Sequence, residues 1–402
     1  MKTARCRHCQ TALKPTLDLG FAPPSNSYLQ AESLNQSETW LPLKLAFCPH
    51  CFLVQIEDFT VRETFFNAQY AYFSSTSQSW LAHAANYCEK ITQKLHLNNN
   101  SFVVEIASND GYLLKNFVSK NIPCLGIEPT QSTADAAKKI GVPTEIAFFG
   151  ADYAQTLNKA DLIIGNNVFA HVPEINDFAK GLKNLLKKGG TITLEFPHLF
   201  NLIEKLQFDT IYHEHYSYLS LTSAANILRA ALLKIYDVEI LNTHGGSLRL
   251  YITHWDDERL IEAIVHQILK KEEKLKHLKT YQDFAKKVFD LKLSILDFLI
   301  QQKKLGKTIA AYGAAAKGNT LLNYLGIKND IIEKVYDAAP SKQNQFLPGS
   351  HIPILSPEHL IQNPPDILII LPWNIADEIL KQYQPQLRTT AFYRLLPEIQ
   401  KL

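Results

Sequence analysis

Between Phe102 and Glu195, short apolar runs alternate with helical stretches, and this alternation restricts the fold more than any other feature of the chain. Phe102-Val-Val-Glu-Ile106, Cys124-Leu-Gly-Ile-Glu128, Asp161-Leu-Ile-Ile-Gly-Asn166 and Thr191-Ile-Thr-Leu-Glu195 each read as strands. Tyr112 to Ser119 and Ala134 to Ile140 read as helices between them. Strands that alternate with helices build a doubly wound parallel sheet, and its ligand crevice opens at the strands' carboxyl ends. Gly245 to Ile252 reads as the last strand-like element of this series. A second βα series starts at Thr308-Ile-Ala-Ala-Tyr312 and continues through Lys334 to Asp337 and Ile367 to Leu371. Between the two series, a Lys-rich amphipathic stretch from about Asp257 to Lys304 reads as connecting helices with a solvated face.

The first 60 residues differ in kind: short strands and turns, with Leu41 to Phe47 a strand and Pro23-Pro24-Ser25-Asn26 a loop. They hold two C-x-x-C pairs, Cys6/Cys9 and Cys48/Cys51, with 38 residues between the pairs. Each pair makes a tight turn that aims two thiolates at one point, so two pairs complete a closed Cys₄ zinc site with no open position for catalysis. A redox dithiol is the alternative, disfavoured by the presence of two pairs. His8 and His50 sit inside the turns and read as bystanders. The expected architecture is a zinc-binding module over 1–74, a Rossmann-like domain over 75–254, and a helical linker with a second Rossmann-like domain over 255–402.

Composition narrows the partners. A chain of 402 residues at about 150 per domain accommodates two to three domains. Forty-one Lys and Arg against 39 Asp and Glu leave a net charge of +2, too little cationic field for a nucleic-acid or membrane-surface protein. No apolar run of about eighteen residues is present, and a cysteine pair stands where a leader would be. The expectation is a soluble, cytoplasmic protein with reduced cysteines, a monomer or small homo-oligomer.

Val104-Glu105-Ile106-Ala107-Ser108-Asn109-Asp110-Gly111 stands where a strand meets a helix, the place where backbone amides face a nucleotide-type cofactor. A pyrophosphate turn carries three glycines. This one has Gly111 alone, with Glu105 and Asp110, whose charges suit a sulfonium and an ammonium. Glu128 follows Glu105 by 23 positions and ends the next strand, where a carboxylate can hold ribose hydroxyls. Together these favour S-adenosylmethionine over NAD. Phe148-Phe149 reads either as core or as an adenine wall, and Asn166 and Asn167 end a strand at the crevice.

Tyr212-His213-Glu214-His215-Tyr216-Ser217-Tyr218 is the densest polar cluster in the chain. On a helix its histidines would stand about 200° apart. On an extended backbone His213 and His215 share one side, with Tyr212 and Glu214 on the other. It reads as an active-site loop that carries a base, and His171, after the strand that begins at Asp161, is either a core residue or part of the same site. Tyr312-Gly-Ala-Ala-Ala-Lys317-Gly318-Asn319 is a second strand-to-helix turn suited to a phosphate-bearing ligand, with Asp337 at the end of the following strand.

These four motifs together resemble the three-domain, zinc-containing, S-adenosylmethionine-dependent sugar C-methyltransferases of branched-chain deoxysugar biosynthesis. The resemblance covers essentially the whole chain. It implies a nucleotide-linked 4-keto-6-deoxyhexose methylated at C-3. It further implies that His215 is the base, with Tyr212, Glu214 and His171 beside it, and that Tyr72 (or Tyr70, two positions earlier) reaches in from the N-terminal segment. The C-terminal domain would hold the sugar nucleotide, with the pyrophosphate near Lys317 and Gly318. Ala107 departs from methyltransferases, which often have glycine there.

Carbon methylation needs a carbanion equivalent, which a C–H beside a keto group supplies as an enolate. Glu214 is expected to orient His215, and Tyr212 or His171 to donate to the oxyanion. Two other readings differ in class: an NAD-dependent sugar-nucleotide oxidoreductase or epimerase, and a non-enzymatic zinc-knuckle binding protein. The first lacks a glycine-rich pyrophosphate turn, and near-neutral charge with two α/β series disfavours the second.

Overall fold

The computed structural model describes residues 4–57, 59 and 73–402, so Tyr70 and Tyr72 lie outside the described residues. In a seven-stranded sheet, Val103–Ile106 lies parallel to both Cys124–Ile127 and Ala160–Asn166. Leu186–Pro197 extends the parallel set on one side and Thr144–Glu145 on the other. All four residues of Val103–Ile106 are buried, as a strand with both faces covered requires. The last expected strand is Ser247–His254, and it runs antiparallel to Leu186–Pro197. Beyond it lies Leu233–Leu241, which the sequence reading passed over. Its Leu-Lys-Ile-Tyr-Asp-Val-Glu alternation belongs to a strand with one solvated face, not to an apolar run.

The second α/β unit is a six-stranded sheet centred on Ile309–Tyr312 and Ile367–Ile370, parallel except for the short edge strand Gln400–Lys401. The third sheet is antiparallel and joins distant parts of the chain. Lys14–Ala22, Leu41–Phe47 and Val54–Ile56 form three of its strands, and Ser217–Tyr218 is the fourth. Val54 pairs with Tyr218 and Gln55 with Ser217.

The Lys-rich stretch is more than a connector. Its helix Leu278–Lys304 buries Tyr281, Phe284, Val288, Ile295 and Leu299, one stripe at helical spacing. The Tyr281 ring stacks on Phe47 of the antiparallel sheet with centroids 4.7 Å apart. Just before this helix, Glu272 is fully buried and accepts from the backbone N–H groups of Leu221 (2.7 Å) and Thr222 (2.8 Å). Those donors open the helix Leu221–Ala230, where no intrahelical acceptor exists and the helix dipole favours a negative charge. His198 Nε2 lies 2.6 Å from the same carboxylate. This tie fixes the far end of the polar loop that follows Thr210.

Candidate active site

The sulfur atoms of Cys6, Cys9, Cys48 and Cys51 all lie within 4.8 Å of one another. A tetrahedral zinc with Zn–S bonds of about 2.3 Å holds its sulfurs about 3.8 Å apart, so the four thiols fit one ion. The two turns have the same construction. Gln10 N–H donates to Cys6 O and Phe52 N–H to Cys48 O, and both Gln10 and Phe52 take left-handed φ. The sulfurs meet across the two pairs, Cys6 Sγ 3.4 Å from Cys51 Sγ and Cys9 Sγ 3.4 Å from Cys48 Sγ. His8 is not in this set: its Nδ1 lies 2.6 Å from Asn176 Oδ1.

In the central sheet, the turn after Val103–Ile106 contains three residues with positive φ: Ala107 (56°), Asn109 (50°) and Gly111 (76°). Ala107 thus adopts the glycine conformation without being glycine, at a cost of about 1–2 kcal/mol. At Gly111 a side chain would be strained by the left-handed φ and crowded, with its Cβ 3.0 Å from Val142 Cγ2. The turn is held by Glu128, whose carboxylate accepts from Asn109 N–H and Thr130 N–H at 2.9 Å each. Burial pushes Glu128 up from the usual carboxylate range. Asp110 Oδ2 accepts from Ser75 N–H (3.1 Å). Glu105 is buried with neither oxygen hydrogen-bonded among the described residues, and burial together with Glu128 and Asp110 pushes it well upward.

A cavity of about 360 Å³ opens at the carboxyl ends of the central strands. Glu128, Phe149, Asn166 and Asn167 line one part of it; His171, Tyr212, Glu214 and His215 line another; Lys317 comes in from the C-terminal unit. Among the described residues, both amide atoms of Asn166 are buried without partners, as is Asn167 Oδ1, which leaves one donor nitrogen and two acceptor oxygens for a ligand. Glu105, Asp110 and Gly111 shape the turn without lining the cavity. Gly318, Asn319 and Asp337, expected at the sugar nucleotide, also lie off it. Asn319 Nδ2 donates to Ser25 O at 3.4 Å, and Asp337 is occupied by the N–H groups of Ala314 (2.7 Å) and Ala339 (2.8 Å).

The polar loop is pinned by every part of the molecule. Asp209 Oδ2 accepts from Trp373 Nε1–H (2.7 Å), Thr320 Oγ1–H donates to Ile211 O (3.1 Å), and Ser217–Tyr218 pairs with the antiparallel sheet. A turn, His215 N–H to Tyr212 O at 2.9 Å, breaks the extended alternation. As a result the two histidines part. His213 Nε2 bonds Pro42 O (3.2 Å), away from the cavity, whereas His215 lines it. His215 Nδ1 lies 2.9 Å from Thr210 O, and since a carbonyl only accepts, Nδ1 carries the proton and Nε2 the lone pair. Thr210, not Glu214, is therefore the orienting partner. Glu214 instead accepts from Asn26 Nδ2 at 2.7 Å. The Tyr212 ring lies 3.9 Å and the His171 ring 4.6 Å from that of His215, centroid to centroid.

Burial holds His171 down at about 4 and His215 well below the usual histidine value, so both are neutral bases near pH 7. It lifts Glu214 to about 7. Burial lowers Lys317, opposed by the charge of Asp209. Sequence reasoning missed several wall residues: Asn26, Trp80, Thr210 and His244. His244 Nε2 accepts from Asn167 Nδ2 at 3.2 Å, and the ring is also held down at about 4 by burial. Only His244 left a readable signal, the Gly245-Gly246 pair behind it, since all three residues take positive φ.

Comparison with known proteins agrees with this layout. A zinc binding domain of methyltransferases matches residues 6–66, a methyltransferase domain 80–238, and the C-methyltransferase C-terminal domain 242–397. C-methyltransferase NovU of Streptomyces niveus is 31% identical over 370 residues, covering 90% of this chain and 88% of its own. Among solved structures, the magnesium protoporphyrin IX methyltransferase of Synechocystis with bound S-adenosylhomocysteine overlaps 43% of this chain and 82% of its own, at 14% identity and a TM-score of 0.36. The PH0226 protein of Pyrococcus horikoshii overlaps 46% and 95%, at 12% and 0.37. The central sheet and the matched domains define an S-adenosylmethionine-dependent methyltransferase that carries a zinc module. The chain belongs to the C-methyltransferase family. Neither the oxidoreductase nor the non-enzymatic reading survives this. Among the described residues no helix is long and apolar enough to cross a membrane.

Proposed function

We propose that the protein methylates C-3 of a nucleotide-linked 4-keto-6-deoxyhexose, with His215 as the general base. The observation that carries this reading is the unprotonated Nε2 of His215, fixed by Thr210 O in a cavity shared with Glu128 and Lys317. Nε2 takes the C-3 proton, and the electron pair moves into an enolate whose oxygen can accept from the Tyr212 hydroxyl. S-adenosylmethionine, when bound, supplies an electrophilic methyl group on its sulfonium. Glu128, Asn166 and Asn167 would hold it, and Lys317 would meet the phosphate side of the sugar nucleotide. The test is mass spectrometry with labelled S-adenosylmethionine over a panel of nucleotide-linked keto sugars. One labelled methyl on C-3 is expected, and label on oxygen or on another carbon would refute the assignment.

Glu128→Ala is expected to weaken S-adenosylhomocysteine binding by roughly 1.5–3 kcal/mol, the worth of charge-assisted hydrogen bonds. Calorimetry on folded protein checks it, and unchanged affinity would move the donor site elsewhere.

The pH profile separates Glu214 from the histidines. An ionised Glu214 favours the imidazolium that forms at His215, so kcat/KM should rise with pH through about 7, where Glu214 titrates. Neither His171 nor His215 titrates there. Glu214→Gln should lower the rate and erase this limb; a limb near pH 7 that persists in the variant would belong to another group.

A further inference from the structure

On the cavity wall, His244 is held in a conformation that its side chain resists. Its φ of 51° and ψ of 28° lie in the left-handed region, which costs a residue with a Cβ about 1–2 kcal/mol. Strain of this kind persists only where the surroundings impose it, and it gathers at ligand sites. Here the surroundings are specific. Glu195, near the carboxyl end of Leu186–Pro197, is fully buried. Its carboxylate accepts from the Thr243 hydroxyl at 3.0 Å, and its backbone carbonyl accepts from Asn167 N–H at 2.7 Å. Asn167, itself left-handed at φ 54°, then donates from Nδ2 to His244 Nε2. The second Glu195 oxygen is fixed by Arg249 (2.6 Å) and His83 (3.1 Å). The Trp80 ring lies against the imidazole, with centroids 5.0 Å apart.

This clamp leaves one group over. Since Nε2 accepts, the neutral ring carries its proton on Nδ1. Burial and the charge of Lys317 disfavour a second proton, so the ring is neutral near pH 7. Nδ1–H has no partner among the described residues, on a ring that lines the cavity. The Lys317 charge acts on His215 as well as on His244, and a charge on His244 is felt at His215. Donor and base thus share the space that Lys317 enters. Enolisation moves negative charge onto the 4-oxygen of the sugar, and donors preset around that oxygen stabilise it. A neutral imidazole suits this task. An imidazolium would hand its proton to the oxygen and quench the carbanion equivalent. A neutral N–H donates and keeps its proton, so the electron pair stays available to carbon.

We propose that His244 is a further catalytic residue, whose Nδ1–H donates to the sugar's 4-oxygen as the enolate forms, together with the Tyr212 hydroxyl. The C-3–H electron pair becomes the second bond between C-3 and C-4, the carbonyl pair moves onto oxygen, and the proton goes to His215 Nε2. This rests on the reading that the substrate is enolised at C-3, and the experiment separates the two.

The probe is the nucleotide-linked 4-keto-6-deoxyhexose that wild type methylates, with S-adenosylhomocysteine in place of the methyl donor and D₂O as solvent. His244→Gly removes the ring and suits the left-handed backbone. His244→Asn suits it too and returns an amide N–H to the neighbourhood of Nδ1. In His244→Gly, C-3 hydrogen exchange and kcat for methylation should both fall about 10²–10³-fold, the effect of losing one oxyanion donor. Affinity for S-adenosylhomocysteine and KM for the sugar nucleotide should hold, as for a contact made only in the transition state. His244→Asn should recover most of the lost exchange. Exchange at the wild-type rate in His244→Gly would overturn the proposal. Equally slow exchange in both variants would overturn it as well, because the ring and not its N–H would then matter. A raised KM with unchanged kcat, or a loss of S-adenosylhomocysteine affinity, would make His244 a binding residue and overturn the catalytic role. These outcomes leave enolisation standing. Absence of exchange in wild type would defeat the enolate reading and this proposal together.

Discussion

His215→Asn is expected to lose methylation by about 10²–10⁴-fold while retaining both ligands, because the loss is that of a general base. The more specific measurement omits the methyl donor. With S-adenosylhomocysteine in its place and D₂O as solvent, wild type should exchange the C-3 hydrogen of the sugar nucleotide without methylating it, and His215→Asn should not. His213→Asn should exchange like wild type, since the His213 ring is turned toward Pro42. Exchange at the wild-type rate in His215→Asn would remove His215 from the role and leave His171, whose ring is in edge contact with it, as the next candidate.

Cys48→Ser is expected to have the largest effect on stability. Structural zinc contributes on the order of 10 kcal/mol of folding free energy, and loss of one thiolate ligand removes most of it. Metal analysis should find no zinc in the variant. Methylation should fall as well, although no cysteine of the cluster lines the cavity. The antiparallel sheet that depends on the metal pairs with Ser217–Tyr218, and the loop before its second strand supplies Asn26 to Glu214. A zinc-free variant that turns over at the wild-type rate would break this link.

The sequence disclosed what depends on local pattern. Val103–Ile106 and Ala160–Asn166 were legible because strands covered on both faces are mainly apolar, here through Val103, Val104 and Ile106 and through Leu162, Ile163 and Ile164, and the cysteine pairs because of their spacing. Leu233–Leu241, half polar, carried no such run. At the polar loop, residue types were legible but directions were not. Alternation places His213 and His215 on one side; a single turn hydrogen bond separates them. The partners of these residues were out of reach for a different reason. Thr210 on His215, Asn26 on Glu214 and Trp373 on Asp209 are ordinary polar and aromatic residues, and only the packing of three sheets brings the last two pairs together across long stretches of chain.

The sheet that borrows Ser217–Tyr218 also dictates a timetable. Roughly 160 residues separate Val54–Ile56 from the strand that completes it. At synthesis rates of about 5–20 residues per second, that strand emerges about 10–30 s later. In that interval Val54–Ile56 is an unpaired strand edge, the kind of surface that recruits other chains. All four cysteines of the cluster, by contrast, have been made by residue 51. Metal capture can therefore precede closure of the sheet, and a zinc ion held by these four residues would keep the first module folded until the polar loop arrives to seal it.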